Sequence, residues 1–499
     1  MSRDIFDCER LPPAVDELLH GTNPWWVGKP GPLVPRYRRW AFHATLKKME
    51  SGLAPAVVLR GPRQVGKTTL QQQLIEYLIG ERNVEPQRVL RVQFDEIRSL
   101  IGLREPILSI ARWFENRVLG SSFNEAARAG KPAYLFFDEV QNLADWAPQL
   151  KALVDHHTVK VLVTGSSALR IEAGRDSLAG RIAQVELGTL LLREIAGLRF
   201  SGSLKPFLPE NGLEPLLRQS FWQDLQAHGL TNRAPRDQAF LAFSERGGYP
   251  IAHAHAQTPW PEIADQLNET VIQRAIQHDL RMGRKGIRRD QQLLEEVYRL
   301  ACRYAGQAPG QAVFVPEIRQ ALAGNIGWAR ILNYLKFLDG ALLLKLVRPL
   351  ELRLKRRKGN SKICLCDHGL RASWLQEVIP LDAKALASSM LTDLAGHIAE
   401  SVTGFFLAGL PHLDLGYFPM RGIEPEVDFV LTVGEKRIPL EVKYQRRIDP
   451  HRDTIGLRAF IEKTVYNAPF GVLVTLCDGV EIPDPRIVPV SLPSLLLLR

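Results

Sequence analysis

Lys67 and Thr68 close an eight-residue stretch, Gly61-Pro-Arg-Gln-Val-Gly-Lys-Thr, whose residue types and spacing suit the holding of a polyphosphate. Gly61 and Gly66 give the backbone freedom to turn a strand into a helix. The amide N–H groups of Arg63, Gln64, Val65 and Gly66, together with the positive end of a following helix, then face the anion. Lys67 supplies a point charge to the phosphates, Thr68 places its hydroxyl on Mg²⁺, and Thr69 continues the first helical turn. Further along, Asp138 and Glu139 end an apolar run. Two acids there divide the work: Asp138 holds Mg²⁺ through its water shell, and Glu139 orients and deprotonates an attacking water. ATP and Mg²⁺ are the cofactors expected. After the next apolar run, Thr164 or Ser166 is placed to reach the γ-phosphate or the attacking water; a helix N-cap by Ser166 or Ser167 is an equally open reading.

A second set of chemistry-bearing residues lies near the C-terminus. In Leu440-Glu-Val-Lys443 the period-two alternation of a strand puts Glu441 and Lys443 on one face, opposite Leu440 and Val442. With Asp428 in the preceding apolar run and Glu400 in a helical stretch, carboxylates of this set can bind Mg²⁺ while Lys443 steadies an attacking water or a developing phosphorane. A salt-bridged edge strand reads the same three letters. A third set is basic. Arg330 and Asn333 share the polar face of a helix whose Ile331, Leu332, Leu335 and Leu338 share the other. Arg353, Lys355 and Arg357 alternate with Leu350, Leu352 and Leu354 ahead of a turn at Lys358-Gly-Asn, and cations so arrayed sit on phosphates without reading sequence.

The elements that must position these residues are read from apolar runs and their periods. Val57–Leu59, Val89–Phe94, Tyr134–Phe137, Lys160–Thr164 and Ile182–Leu187 are short, β-branched or aromatic strands, and helical spacing follows the first of them and returns at Ile107–Leu119. Residues 1 to about 35, with Trp25-Trp26 and several prolines, read as an irregular arm packed on something else. The Arg36-Tyr-Arg-Arg-Trp40 run suits either a nucleic-acid strand or a solvated helix face. Residues of about 200 to 285 read as mostly helical, 291 to 367 as three helices and a hairpin, and the remainder as helix, three strands, helix, strand.

At 499 residues the chain exceeds one compact core, and its formal charge of +10 with a pI near 9.4 favours a polyanionic partner, nucleic acid first. Five scattered cysteines exclude a disulfide framework, and Cys364-Leu-Cys366 lacks zinc-ligand spacing, so strand packing is expected there. The acidic N-terminus and the lack of any apolar run near the roughly 20 residues of a membrane span predict a cytoplasmic protein with no membrane partner.

The order of phosphate loop, strand ending in Asp-Glu, strand with a polar tip and then Arg181 heading the next strand resembles the AAA-type ATPases. That resemblance implies an arginine reaching a neighbouring subunit's site, hence a homo-oligomer such as a ring. A surface salt bridge is the competing reading of Arg181. The segment Ser244-Glu-Arg-Gly-Gly-Tyr-Pro resembles the place where such proteins carry a sensing arginine, but Ile251 stands there and Arg246 is the available substitute. The centre resembles a winged helix. The C-terminal order, with Glu400, Asp428, Glu441 and Lys443 at the matching positions, resembles the restriction-endonuclease-like, PD-(D/E)xK nuclease fold. Together these motifs resemble a family of bacterial and archaeal ATPases that join an AAA-type core to a C-terminal domain formerly of unknown function.

The fold class expected is therefore multidomain α/β: an N-terminal arm over 1–50, a P-loop AAA-type core over 51–200, a helical lid over 201–285, a winged helix over 286–380 and a nuclease-like domain over 381–499. The function implied is an ATP-hydrolysing protein whose Mg²⁺-dependent nuclease-like domain acts on DNA, branched DNA included. The alternatives are a DNA motor without cleavage, for branch migration or translocation, and a nucleotide-driven regulatory switch with an inert nuclease-like domain.

Overall fold

The computed structural model describes residues 11–94, 103–143, 145–165, 178–209, 212–276, 290–352, 355–356, 359–388, 391–420, 422 and 424–499. The chain divides into two compact units, Met1–Leu187 and Gly188–Arg499.

The first unit is built on five parallel strands: β1 (Ala56–Arg60), β2 (Val89–Gln93), β3 (Tyr134–Asp138), β4 (Lys160–Gly165) and β5 (Ile182–Glu186), lying in the order β2-β3-β4-β1-β5. β3 is buried along its whole length and β1 along most of it, as their continuous apolar sequences require when helices cover both faces of a parallel sheet. Every strand therefore ends at the same edge, where the ligands of open α/β sheets bind. The expected boundary at 50/51 falls inside this unit, because the arm is part of it. Residues Pro13–Thr22 are helical, a stretch the sequence reading left irregular although Pro13 stands where a first-turn proline is tolerated. Beyond that helix the indole N–H groups of Trp25 and Trp26 donate to the Val89 carbonyl at 3.0 and 2.8 Å. The Asn23 amide both accepts from the Arg91 N–H at 2.7 Å and donates to the Arg91 carbonyl at 2.9 Å. The arm thus occupies the open edge of β2, whose ladder groups would otherwise be free to pair with another chain.

In the second unit one sheet runs in the order β14-β13-β12-β11-β10-β6-β9, comprising Leu344–Pro349 (β6), Lys362–Leu365 (β9), Asp414–Phe418 (β10), Val427–Val433 (β11), Lys436–Lys443 (β12), Gly471–Thr475 (β13) and Ile487–Ser491 (β14). Two-residue strands Glu351–Leu352 (β7) and Lys355–Arg356 (β8) pair with each other. Three helices, Gln291–Arg303, Gln311–Leu322 and Trp328–Gly340, pack together, the last of them beside β6. The expected hairpin differs from its sequence reading in two ways. The strand that pairs with β9 is β6 rather than the 350–354 run, and Leu352 pairs with Lys355. β6 also pairs in parallel with β10, so the expected winged-helix and nuclease-like domains share one sheet across the 380/381 boundary.

The segment expected as a lid belongs to the same unit. Helices Gln219–Thr231 and Arg233–Arg246 pack near β14 and the C-terminal turn, where the buried Arg236 guanidinium lies 2.7 Å from both Asp478 and the Ser494 hydroxyl. They share one apolar core with β11, β12 and β13. Cys302, Cys364 and Cys366 are free and buried in strand and helix packing, and burial pushes the Cys364 thiol up to about 12. Among the described residues no helix is long and apolar enough to cross a membrane.

Candidate functional site

The loop between β1 and the helix Lys67–Gly80 has the backbone its sequence demands. Gln64 and Gly66 have φ of +61° and +94°, and a Cβ on Gly61 would stand 2.1 Å from the Leu187 carbonyl oxygen, so only glycine lets the loop leave the sheet there. Lys67, the first residue of the helix, folds its ammonium back onto the Gly61 and Pro62 carbonyls at 2.9 and 2.8 Å. This places the charge under the loop, and Thr69 follows in the same helical turn. Arg39, read from sequence as part of a nucleic-acid or solvent face, is instead buried and donates to the Val65 carbonyl at 2.7 Å. Arg38 lies over the Phe42 ring, 4.7 Å from its centroid, and pairs with Glu81, so these two arginines of the basic run are held by the protein itself.

At the end of β3, Asp138 is fully buried and receives the Thr68 hydroxyl at 3.0 Å, the Thr164 hydroxyl, and the Arg91 guanidinium at 3.3 Å. The two ligands expected for Mg²⁺ are therefore hydrogen-bonded to each other, and the donor set of one hydroxyl and one carboxylate suits a hard cation that keeps most of its waters. Burial pushes the Asp138 carboxyl up, against the hydroxyls and Arg91, and a divalent cation beside it would favour the ionised form.

Glu139 takes the left-handed conformation at φ +53°, a cost few non-glycine residues bear outside functional turns. Its N–H donates to the Thr164 hydroxyl at 3.3 Å and its carboxylate receives the Gln141 amide. Thr164 thus ties the tips of β3 and β4 together, while Ser166 lies outside the described residues. Arg91 escaped the sequence reading. It donates to Gln71, Gln93 and Asp138, and the one signal for it was a lone cation inside the apolar strand Val89–Gln93. Arg181 stands just before β5, at the opposite edge of the sheet from the loop, and pairs with Asp155 at 2.5 Å. The structure does not bring it to this chain's own phosphate loop.

In the second unit, Arg330 is more than half exposed and lies 3.4 Å from Asp290, and Asn333 and Lys336 are exposed on the same helix. Arg353, Arg357 and Lys358 lie outside the described residues; Lys355 is described in its backbone alone. Arg246 donates to the Thr258 carbonyl at 3.0 Å, and Ile251 lies in the short helix Pro250–Ala254. Gly247 and Gly248 close on the buried Asp367 carboxylate, which accepts from the Gly248 N–H at 2.5 Å and the Leu370 N–H at 3.1 Å and is pushed by burial up to about 7. His253 is buried, bonds the Gly247 carbonyl at 2.7 Å, and is lowered by burial to about 4.

Glu400, Asp428, Glu441 and Lys443 do come together, on the helix Thr392–Ala408 and on β11 and β12, but not around an open metal position. Lys362 of β9 places its ammonium 2.9 Å from Asp428, 3.3 Å from Glu400 and 3.4 Å from Glu426. Burial pulls its pKa down, but those three carboxylates outweigh burial and hold it well above the ordinary lysine range. Lys443 pairs with Glu441 at 2.7 Å, and the other Glu441 oxygen has no hydrogen-bond partner. Burial, then Asp428, pushes Glu441 up to about 8. Among the described residues no three His, Cys, Asp or Glu side chains are disposed to hold a metal ion. The Lys362 ammonium thus stands among Glu400, Glu426 and Asp428, the first and last of which are expected Mg²⁺ ligands. Sequence reading missed Lys362 because it assigned that strand to a wing hairpin alone.

Residues 54–196 match an AAA domain family. The chain is 28% identical over 218 residues to uncharacterized proteins of Mycobacterium tuberculosis and Mycobacterium bovis, matching 41% of this chain and 42% of each relative. It is 30% identical over 148 residues to an uncharacterized protein of Methanocaldococcus jannaschii, matching 30% of this chain and 29% of that one. The chain thus spans less than half the length of these relatives. Domain III of the Thermotoga maritima replication initiation protein DnaA aligns over 40% of this chain and 88% of its own length at 17% identity, with a TM-score of 0.23 that is too low to bear on the fold.

Proposed function

We propose that this chain uses its AAA domain to bind and hydrolyse ATP with Mg²⁺, as one subunit of a homo-oligomer, and that the second unit couples this cycle to DNA. The observation that carries the reading is the convergence at one sheet edge of the loop over Lys67, the Thr68–Asp138 pair and the strained Glu139. Backbone N–H groups of residues 63–66 cradle the phosphates, with Lys67 moving from the loop carbonyls to the anion. Thr68 and Asp138 hold the ion, which supplies charge neutralisation when bound. Glu139, aimed by Thr164 and Gln141, takes the proton of the attacking water. Arg181 serves a neighbouring subunit's site, which is consistent with its place away from its own loop.

DNA is proposed as the partner because the chain carries +10 and the helix Trp328–Gly340 leaves Arg330, Asn333 and Lys336 exposed beside the wing. Cleavage is not part of the proposal, since the Lys362 ammonium lies among Glu400, Glu426 and Asp428.

The test of the DNA assignment is fluorescence anisotropy of labelled duplex DNA against salt. Binding is expected to weaken linearly in log–log form, with a slope of about 0.9 per phosphate contacted. Arg330→Glu with Lys336→Glu should lower affinity about tenfold or more and flatten that slope. Affinity and slope unchanged in the double variant would remove this helix from the interface.

A further inference from the structure

Asp138 does not stand at the end of β3 unaided. One of its oxygens accepts the Thr68 hydroxyl at 3.0 Å and the Arg91 guanidinium at 3.3 Å, while the other accepts the Thr164 hydroxyl. Arg91, itself buried on β2, spreads its guanidinium over three acceptors. Its Nε donates to Gln71 at 3.0 Å, and one Nη donates to Gln93 at 2.9 Å as well as to Asp138. Gln71 lies on the helix Lys67–Gly80, three residues beyond Thr68. A single planar fork therefore ties the helix that carries Thr68 to the carboxylate that Thr68 bonds, a span that the point charge of a lysine does not reproduce.

The fork is held in turn by the N-terminal arm. Asn23 is fully buried, and its amide takes both backbone groups of Arg91, accepting from the N–H at 2.7 Å and donating to the carbonyl at 2.9 Å. The same Asn23 nitrogen donates to the Leu19 carbonyl at 2.7 Å, on a helix anchored by the buried Val15 and Leu19. Two residues back along β2, the Val89 carbonyl receives the indoles of Trp25 and Trp26. The arm thus grips β2 at 89 and 91, and fixing the Arg91 backbone fixes the point from which its side chain reaches Asp138. Covering the edge of the sheet does not require this second consequence; the position of Arg91 supplies it.

We infer that Arg91 is a positioning residue for the nucleotide site, holding the Asp138 carboxylate toward Thr68 and the ion, and that the arm acts on the same site through Asn23. The inference rests on the reading of Thr68 and Asp138 as the residues that hold Mg²⁺. Partners that orient a metal ligand from behind change metal affinity by about 10- to 100-fold when they are removed.

The experiment separates binding of the nucleotide from binding of the ion. A fluorescent, non-hydrolysable ATP analogue is titrated into the full chain in EDTA, and Mn²⁺ is then titrated into the analogue complex and followed by electron paramagnetic resonance. Circular dichroism checks folding. Arg91→Met should lower Mn²⁺ affinity about tenfold or more while analogue affinity in EDTA stays within about twofold of the parent. Arg91→Lys should fall between the two, and Asn23→Ala should weaken Mn²⁺ about threefold or more with the same unchanged binding in EDTA. A folded Arg91→Met protein with parent-like Mn²⁺ affinity would overturn the inference. So would equal losses with and without the ion, which is what a merely structural role produces. Should Arg91→Met not fold, parent-like Mn²⁺ affinity in both Arg91→Lys and Asn23→Ala would overturn it. A parent that binds no analogue would overturn the nucleotide reading and this inference together, whereas variants that match a binding-competent parent would overturn this inference alone.

Discussion

Lys67→Ala is expected to lower ATP turnover by roughly 10²- to 10³-fold or more, the scale on which loss of one preorganised charge or donor is felt at a reacting phosphate. The Lys67 ammonium now rests 2.9 and 2.8 Å from the Gly61 and Pro62 carbonyls at the mouth of the loop, so a bound triphosphate meets a charge already delivered there by the first turn of a helix. Alanine keeps the helix start and the left-handed Gly66 while removing the cation, so the fold should survive with a small change in melting temperature. Binding of a fluorescent ATP analogue and steady-state phosphate release separate the two effects: both should fall. Undiminished turnover in a folded Lys67→Ala protein would remove the assignment of this loop as the nucleotide site.

The second large effect is expected at a residue that does not touch its own chain's site. Arg181→Ala should leave ATP binding near the parent value and lower kcat by about 10³-fold or more, as loss of an arginine supplied to a neighbour's phosphates does. The pair it makes with Asp155 is exposed at the surface, where ion pairs add little, so stability should hardly change. Mixing Arg181→Ala subunits with Glu139→Gln subunits separates a finger from a surface salt bridge. Each protein alone should be inactive, whereas mixed oligomers contain interfaces that pair an intact Glu139 with an intact Arg181 and should regain part of the activity. Parent-like kcat for Arg181→Ala, or no recovery on mixing, would leave Arg181 as the partner of Asp155 and nothing more.

The parts of the molecule that could be read from sequence are those whose signals are local. Tyr134–Asp138 is a continuous apolar run ending in two acids, and Gly61–Thr68 has its spacing imposed by the phosphate it would wrap; strand, turn and helix followed from a few neighbouring residues. What escaped rests on contacts between residues far apart in the chain. β6 and β10 pair in parallel across some seventy residues, and nothing in Leu344–Pro349 announces which strand it will join. The helices of 219–246 have the apolar spacing that either a lid or a core layer needs, and it is Arg236 meeting Asp478 and Ser494 that makes them the latter. Asn23 and the two tryptophans read as an irregular arm because their hydrogen-bond partners lie on β2, more than sixty residues away.

Lys362 shows the same limit with a functional consequence. As the first residue of Lys-Ile-Cys-Leu it fell within the hairpin expected before residue 367, and Glu400, Asp428, Glu441 and Lys443 were read without it. Only the joining of β9 and β6 to β10 carries its ammonium to the carboxylates. Residues matched position by position along the chain can therefore gain a cation that their own spacing does not announce.

The measurement that bears most directly on the central claim is ATP turnover by the full chain, with Mg²⁺, in the presence and absence of duplex and branched DNA over a range of salt. Turnover that rises several-fold on DNA at low salt, loses that stimulation as salt releases the phosphate contacts, and vanishes in Lys67→Ala is the result predicted. Turnover that vanishes in Lys67→Ala but is the same with and without DNA at every salt concentration would contradict the coupling and leave a nucleotide switch whose partner is not DNA.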